Sequence, residues 1–400
     1  MKKIALRVAL SIIVLLPTTA VVYVLFFQSM PTLEATYNNL PASEPAVVSV
    51  PWPDEGVATI GAVGYGLLDD SGNADEVVPI ASITKLFTAL AIMEQKPFEQ
   101  GQDGETITFG QADQQLYTDY IAREGSAYPI NAGDSLTQAE AMHALLIPSA
   151  NNLADSLSRW AFGSEENFLR YVNDMAADMG LENTTIADTS GFSPESVSTP
   201  RELMVVAERV LQDPVLSEIV SKPSTVIDPA VGTIYNTNPL LLDQYVVGVK
   251  TGTTDEAGSN LIFAADFPLT ETASTTIIGM VLGQPDRQTV INQSRSILQS
   301  GQKGLGFIEV VEPETVVGRY EVPWAEEVEL VTNGGIMVGA WVGEAYQPQV
   351  EAERVEPGVQ AQTEVGTLSV DHGSDTTSVP ITTTDPIEPP SFWWRLLNIF

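Results

Sequence analysis

One helix constrains everything else this chain can build. In PIASITKLFTAL, residues 79–90, a single charged residue interrupts a run that is otherwise apolar or small. Ile83, Leu86, Phe87 and Leu90 recur at helical spacing, and Ala81, Ala89, Ala91 and Met93 fill most of the remaining faces. A helix apolar nearly all round belongs inside a domain, with other elements packed around it. Lys85 then falls in its first turn, where the helix dipole disfavours a cation. Burying that charge costs roughly several kcal/mol unless it is paired or neutralised. Residues three apart share a helix face, so the Lys85 amine can reach the Ser82 hydroxyl. Two readings fit this stretch alone: a capping serine with a snorkelling lysine, or a nucleophile beside a lysine whose lowered pKa makes it a base.

Composition narrows the chemistry. The chain has 400 residues, 44% of them hydrophobic, enough for two or three domains with a sizeable core. Lys and Arg number 18 against 52 Asp and Glu, a net charge of -34, which argues against nucleic-acid binding. There is no cysteine, so disulfides, thiol catalysis and cysteine zinc sites are excluded. His143 and His372 are the two histidines, one in the helical run LTQAEAMHALL and one in a polar stretch, so a histidine-rich metal site is excluded. Serine chemistry here needs a base other than the usual imidazole.

The chain divides by composition. No residue from Val8 to Phe27 is charged, a run of the ~20 residues that span a bilayer, and Lys2, Lys3 and Arg7 precede it. Residues 1–27 therefore read as a cytoplasmic stub and membrane anchor, with a cleaved signal peptide as the alternative, and the rest as exported and held at the cell membrane. Residues 28–50 read as a linker. Residues 51–307 alternate strand-like and helical runs, a mixed α/β (α+β) domain. Residues 308–370 carry short alternating runs broken by Gly and Pro, a small all-β domain. Residues 371–390 read as a flexible polar and Pro-rich linker. The segment 391–400, SFWWRLLNIF, is a short aromatic stretch that fits a membrane interface or a packed surface equally.

Two further tripeptides bear on Ser82. IPSANNLAD holds Ser149-Ala150-Asn151, and VGVKTGTTDEAGSN holds Lys250-Thr251-Gly252 between strand-like runs. Alone, each is as good a helix cap or turn as a site. Together, in this order after a Ser-x-x-Lys opening an apolar helix, they form the serine acyl-transferase set of penicillin-binding proteins and β-lactamases. With DTSGFSPESVSTPREL, YNTNPLL and MVLGQPDRQ added, residues 51–307 resemble the D-alanyl-D-alanine carboxypeptidases of the low-molecular-mass penicillin-binding proteins, the S11 serine peptidase family. Ala150 stands where that family often has Gly.

The resemblance implies a transpeptidase-like fold with an antiparallel sheet and helices, followed by a small β domain. It implies removal of the terminal D-alanine from peptidoglycan stem peptides, covalent inhibition by β-lactams, and no metal or organic cofactor. Ser82 is the implied nucleophile, Lys85 its base and Ser149 a proton relay. Asn151 is expected to hold Lys85 and the substrate amide, and Lys250, Thr251 and Gly252 to lie on an edge strand beside the substrate carboxylate. The backbone N–H groups of Ser82 and Thr253 are the expected oxyanion hole. Arg201 and Arg287 are candidates for the carboxylate side, each equally able to be a structural ion pair. A D,D-endopeptidase, a β-lactamase and a non-catalytic wall-binding protein share parts of this pattern. The β-lactamase would need a deacylating glutamate, for which EENFLRYVN, with Glu166, is the nearest stretch.

Overall fold

The computed structural model describes residues 15–24, 27–46, 48–268 and 274–398. The chain forms two compact units. One is continuous, Val47–Gly306; the other joins both ends of the chain, Met1–Ala46 and Phe307–Phe400.

The end-joining unit begins with a helix over residues 15–24 (α1) and a short strand β1 (Ala35–Tyr37). The continuous unit carries an antiparallel sheet of β2 (Val57–Ala62), β3 (Gly66–Asp70), β4 (Val246–Thr254), β5 (Gly258–Pro268) and β6 (Ser274–Gln284), in spatial order β4-β5-β6-β2-β3. Its helices are α2 (Thr84–Gln95), α3 (Gln111–Ala122), α4 (Gln138–Leu146), α5 (Asn151–Phe162), α6 (Glu165–Asp178), α7 (Pro200–Gln212), α8 (Pro214–Ser221) and α9 (Arg287–Gly304).

Helix α2 is buried from Thr84 to Met93 and is packed by α4, α5, α6 and α7. Its uniform apolarity thus has a partner on every side. The surrounding helices start where capping chemistry is available. Thr137 and Glu140 form a reciprocal capping box on α4, Thr199 accepts from Glu202 N ahead of Pro200 on α7, and Asp286 accepts from Thr289 N on α9. Helix α8 packs on β4, α7 on β6 and β2, and α9 on β5 and β6. Strand β4 is an edge of the sheet, with β5 on one side only.

The second unit corrects two expectations. Residues 28–50, read as a linker, supply β1, which pairs antiparallel with β7 (Val316–Tyr320), and Leu33, which bridges to Val355. Residues 371–390, also read as a linker, complete β10 (Glu364–His372) and supply β11 (Asp375–Thr383). With β8 (Val328–Thr332) and β9 (Pro348–Ala352) these make a sheet in the order β1-β7-β8-β11-β10-β9. The Thr, Val and Ile of DTTSVPITT are β-branched and suit a pleated surface. Pro380 pairs with Thr367 of β10, while pairing with β8 begins only at Ile381.

The expected anchor, Val8–Phe27, falls partly on residues 1–14 and 25–26, which lie outside the described residues. Among those described, no helix is long and apolar enough to cross a membrane. The C-terminal segment forms a short helix, α10 (Phe392–Leu397). Trp394 packs edge-on against Trp324 of the same unit at 5.2 Å between ring centroids, while Trp393 and Leu397 are 69% and 83% exposed. Arg395 Nη2 donates to the carbonyls of Val24 and Gln28 at 2.5 and 3.1 Å.

Candidate active site

Ser82 lies in a 3₁₀ turn, Ala81–Ile83, that runs directly into α2. Neither the turn nor α2 has a side-chain cap, so the capping reading of Ser82 fails. Its hydroxyl instead meets Lys85 Nζ at 2.9 Å. Ala81 sits at φ +47°, a left-handed conformation costly for a residue with a Cβ.

Strand β4 runs close beside this turn. A Cβ at Gly252 would lie 2.9 Å from both Ile80 O and Ser82 N, so only glycine lets the strand pass there. That approach places Lys250, Thr251 and Thr253 around Ser82. From the other side, the N-terminus of α5 brings Asn151, and Ser149, two residues before it in the motif, is held at φ +64°. Ser149 does not cap α5, whose first turn lacks a side-chain cap. Its hydroxyl accepts from Lys250 Nζ at 2.9 Å.

Lys85 is fully buried and its nitrogen has three neighbours. It donates to Asn151 Oδ1 at 2.6 Å and to the Ser190 carbonyl at 2.7 Å, and it faces Ser82 Oγ. A neutral amine has two hydrogens and one lone pair. Two carbonyl-type acceptors take the hydrogens and leave the lone pair aimed at the hydroxyl. Burial brings the Lys85 pKa down to about 7, against a smaller upward pull from Asp188 and Asp155. Lys250, 1% exposed, is pushed well below the usual lysine range by burial, then by the charges of Lys85 and Arg287. Among the described residues no carboxylate forms an ion pair with it.

Ser82 and Ser149, the hydroxyl partners of the two lysines, open on a cavity of about 110 Å³ whose lining also includes Ser126, Thr237, Thr251, Gly252, Thr253, Asn260 and Arg287. A larger hollow, about 460 Å³, lies between Leu211, Pro214 and Thr276; its lining includes neither Ser82 nor any lysine, and the Thr276 hydroxyl there donates to the Asp266 carboxylate at 2.6 Å. Thr251 Oγ1 donates to Thr237 Oγ1 at 2.6 Å, and Arg287 Nη2 donates to the Thr237 carbonyl at 2.5 Å. Arg287 thus belongs to the cavity. Arg201 does not: Asp75 grips its guanidinium through two hydrogen bonds, at 2.7 and 3.1 Å, on the surface at the start of α7. Glu166 is exposed in the first turn of α6 and is absent from the cavity lining.

Sequence reasoning assigned no role to Ser126, Thr237, Asn260 or the Ser190 carbonyl. Two of them lie in stretches that carried the family resemblance: Thr237 in YNTNPLL and Ser190 in DTSGFSPESVSTPREL. No residue type marks a backbone acceptor, so the Ser190 carbonyl could be found only in three dimensions. Among the described residues no group of acids and histidines is arranged to hold a metal ion.

Comparison with known proteins agrees with this geometry. The pattern of the D-alanyl-D-alanine carboxypeptidase family, peptidase S11, matches residues 67–285. The chain is 26% identical over 267 residues to the D-alanyl-D-alanine carboxypeptidase DacC of Escherichia coli, covering 66% of this chain and 65% of that protein. It is 31% identical over 198 residues to a D-alanyl-D-alanine endopeptidase of Haemophilus influenzae, covering 48% of this chain and 64% of that protein. The chain thus spans just under two thirds of the length of these relatives. The structure of penicillin-binding protein 5 from Haemophilus influenzae superposes with a TM-score of 0.62 at 18% identity, over 86% of this chain and 100% of that one, which establishes the shared fold.

Proposed function

The chain belongs to the peptidase S11 family, and from that premise we propose that it is a serine D,D-carboxypeptidase that removes the terminal D-alanine from peptidoglycan stem pentapeptides. The observation that carries the reading is Lys85 Nζ at 2.9 Å from Ser82 Oγ, with its other two directions taken by Asn151 Oδ1 and Ser190 O.

In this reading Ser82 Oγ attacks the carbonyl between the two D-alanines while Lys85 takes its proton. The Ser82 and Thr253 N–H groups stabilise the negative charge that develops on the carbonyl oxygen. Ser149, on Lys250, passes a proton to the departing amine. Water then hydrolyses the Ser82 ester and returns the proton to the site. Thr251 and Lys250 receive the terminal carboxylate, with Arg287 behind them. Burial, with the charges of Lys85 and Arg287, depresses Lys250 well below the usual lysine range, which by itself runs against an anchoring cation. A substrate carboxylate beside Lys250 supplies the counter-charge that restores its proton, so the anchor charges as the substrate arrives. β-Lactams acylate the same hydroxyl.

Cleavage of cross-links is the second reading, supported by the endopeptidase named among the relatives. We further place the protein at the cell membrane with its catalytic unit outside. The support is the uncharged run Val8–Phe27 behind Lys2, Lys3 and Arg7, and the exposed Trp393 and Leu397 near the other end.

The test is mass spectrometry of the purified protein with a stem pentapeptide, a cross-linked dimer and a fluorescent penicillin. The expected result is loss of one D-alanine, and a penicillin adduct at Ser82 that Ser82→Ala lacks. Unchanged labelling of Ser82→Ala would remove the nucleophile assignment. Cleavage of the dimer without release of D-alanine would favour the endopeptidase.

A further inference from the structure

Both acceptors that fix Lys85 are organised by one helix. Asn151 stands at the first position of α5 and Asp155 one turn later. The Asp155 carboxylate accepts from Thr189 Oγ1, through a short hydrogen bond, and from the Tyr120 hydroxyl of α3 at 3.0 Å. Thr189 immediately precedes Ser190, whose carbonyl takes the Lys85 hydrogen. The same two residues are tied to α2: Thr88 Oγ1 donates to Thr189 O at 2.6 Å, one turn from Lys85. The turn that follows folds around Asp188, which accepts from the N–H groups of Gly191 and Phe192 at 3.1 and 2.8 Å and from Ser190 Oγ at 2.9 Å. Phe192 is held outside by an edge contact with Tyr120 and by the Arg123 guanidinium, 4.2 Å from its ring centre.

We propose that Asp155 is a positioning residue for the base: through Thr189 and Tyr120 it holds the Thr189–Ser190 segment so that the Ser190 carbonyl meets Lys85 and leaves the Lys85 lone pair on Ser82. The proposal rests on the reading of Lys85 as the base. Asp155 is a half-buried carboxylate, and no cation pairs with it among the described residues. Its partners are two hydroxyls, one of them on Thr189, the residue before the carbonyl that Lys85 uses. Its charge also reaches the base. Lys85 faces Asp155 of α5 and Asp188 of the turn, which favour its charged form, and lies against Lys250 of β4. Asp155 itself faces Tyr120 of α3, Glu165 of α6 and Asp188.

The experiment measures the acylation rate of the full chain by a fluorescent penicillin from pH 5 to 9, alongside thermal melting, for the wild type, Asp155→Asn, Asp155→Ala and Lys85→Arg. Asp155→Asn keeps the shape and one acceptor but removes the charge. Its acidic limb should move to lower pH, by about half a unit to one unit, since a nearby anion no longer favours the ammonium. Asp155→Ala frees the turn and should lower the plateau rate about ten- to a hundredfold, the scale of a small misplacement at a reacting pair. If Lys85→Arg is inactive while both Asp155 variants keep the wild-type limb and plateau and lose only melting temperature, Asp155 is structural and the proposal is wrong. If Lys85→Arg acylates like the wild type, the base assignment fails and the proposal falls with it.

Discussion

Gly191→Ala tests how tightly the turn behind Lys85 is built. Gly191 has φ +77°, and a Cβ there would sit 1.7 Å from the Ala81 carbonyl oxygen and 2.3 Å from its carbon. Both are backbone atoms, so no side chain can swing away. Gly180, at the end of α6, has the same φ of +77° but nothing within 4 Å of its Cβ position. Gly180→Ala therefore carries the left-handed penalty alone, about 1–2 kcal/mol. Gly191→Ala adds an overpacking cost of about 1–3 kcal/mol. At about 2–4 °C per kcal/mol for a unit of this size, the second variant should melt roughly 2–12 °C below the first. The clash falls on the residue before Ser82, in a glycine next to the residue that binds Lys85. A shift of about 1 Å there is enough to slow acylation on the order of a hundredfold. Calorimetry and penicillin acylation of the two variants give the comparison. Equal melting temperatures with equal acylation rates would refute the reasoning, because they would mean the turn yields without moving the site.

Acylation should rise with pH through about 7, the pKa to which burial brings Lys85, and fall about tenfold per unit below it. The sign follows from the role: a depressed lysine is neutral, and able to take the Ser82 proton, above its pKa. A rate still climbing beyond pH 9 would indicate an ordinary ammonium. Lys85→Arg keeps charge but cannot give up its proton, so acylation should collapse, whereas Lys250→Arg keeps a cation for the carboxylate and should retain more activity. Equal losses, read from acylation rates, would contradict that division of roles. A chain beginning at Pro31, which keeps β1, should bind anionic vesicles through Trp393 and Leu397 and lose that binding when residues 391–400 are removed. Equal recovery in the soluble fraction would show that α10 makes no membrane contact.

The two misread linkers show where local pattern stops. Ala35 of β1 pairs with Tyr320, far along the chain, and nothing in residues 28–50 records that partner. In residues 371–390, polarity and proline masked a run of β-branched residues that needed β8 and β10 on either side to become a central strand. Arg201, at the start of α7, had the right charge for the substrate side, but Asp75 lies within reach and accepts from its Nε and Nη2.

What the chain alone determined was local. Ser82 and Lys85 share a helix face because they are three residues apart, and α2 is interior because its apolar residues leave no face for water. The motifs around Ser82, Ser149 and Lys250, with the glycine at 252, were equally visible, since each is a property of a few neighbouring residues and their order is read along the chain. Only the tertiary structure decided the state of the base. The depression of Lys85 comes from burial by α2's neighbours, and its orientation from Asn151 and the Ser190 carbonyl. Those groups arrive from a different helix and a backbone turn, and desolvation depends on everything packed around the amine rather than on the residues beside it in the chain.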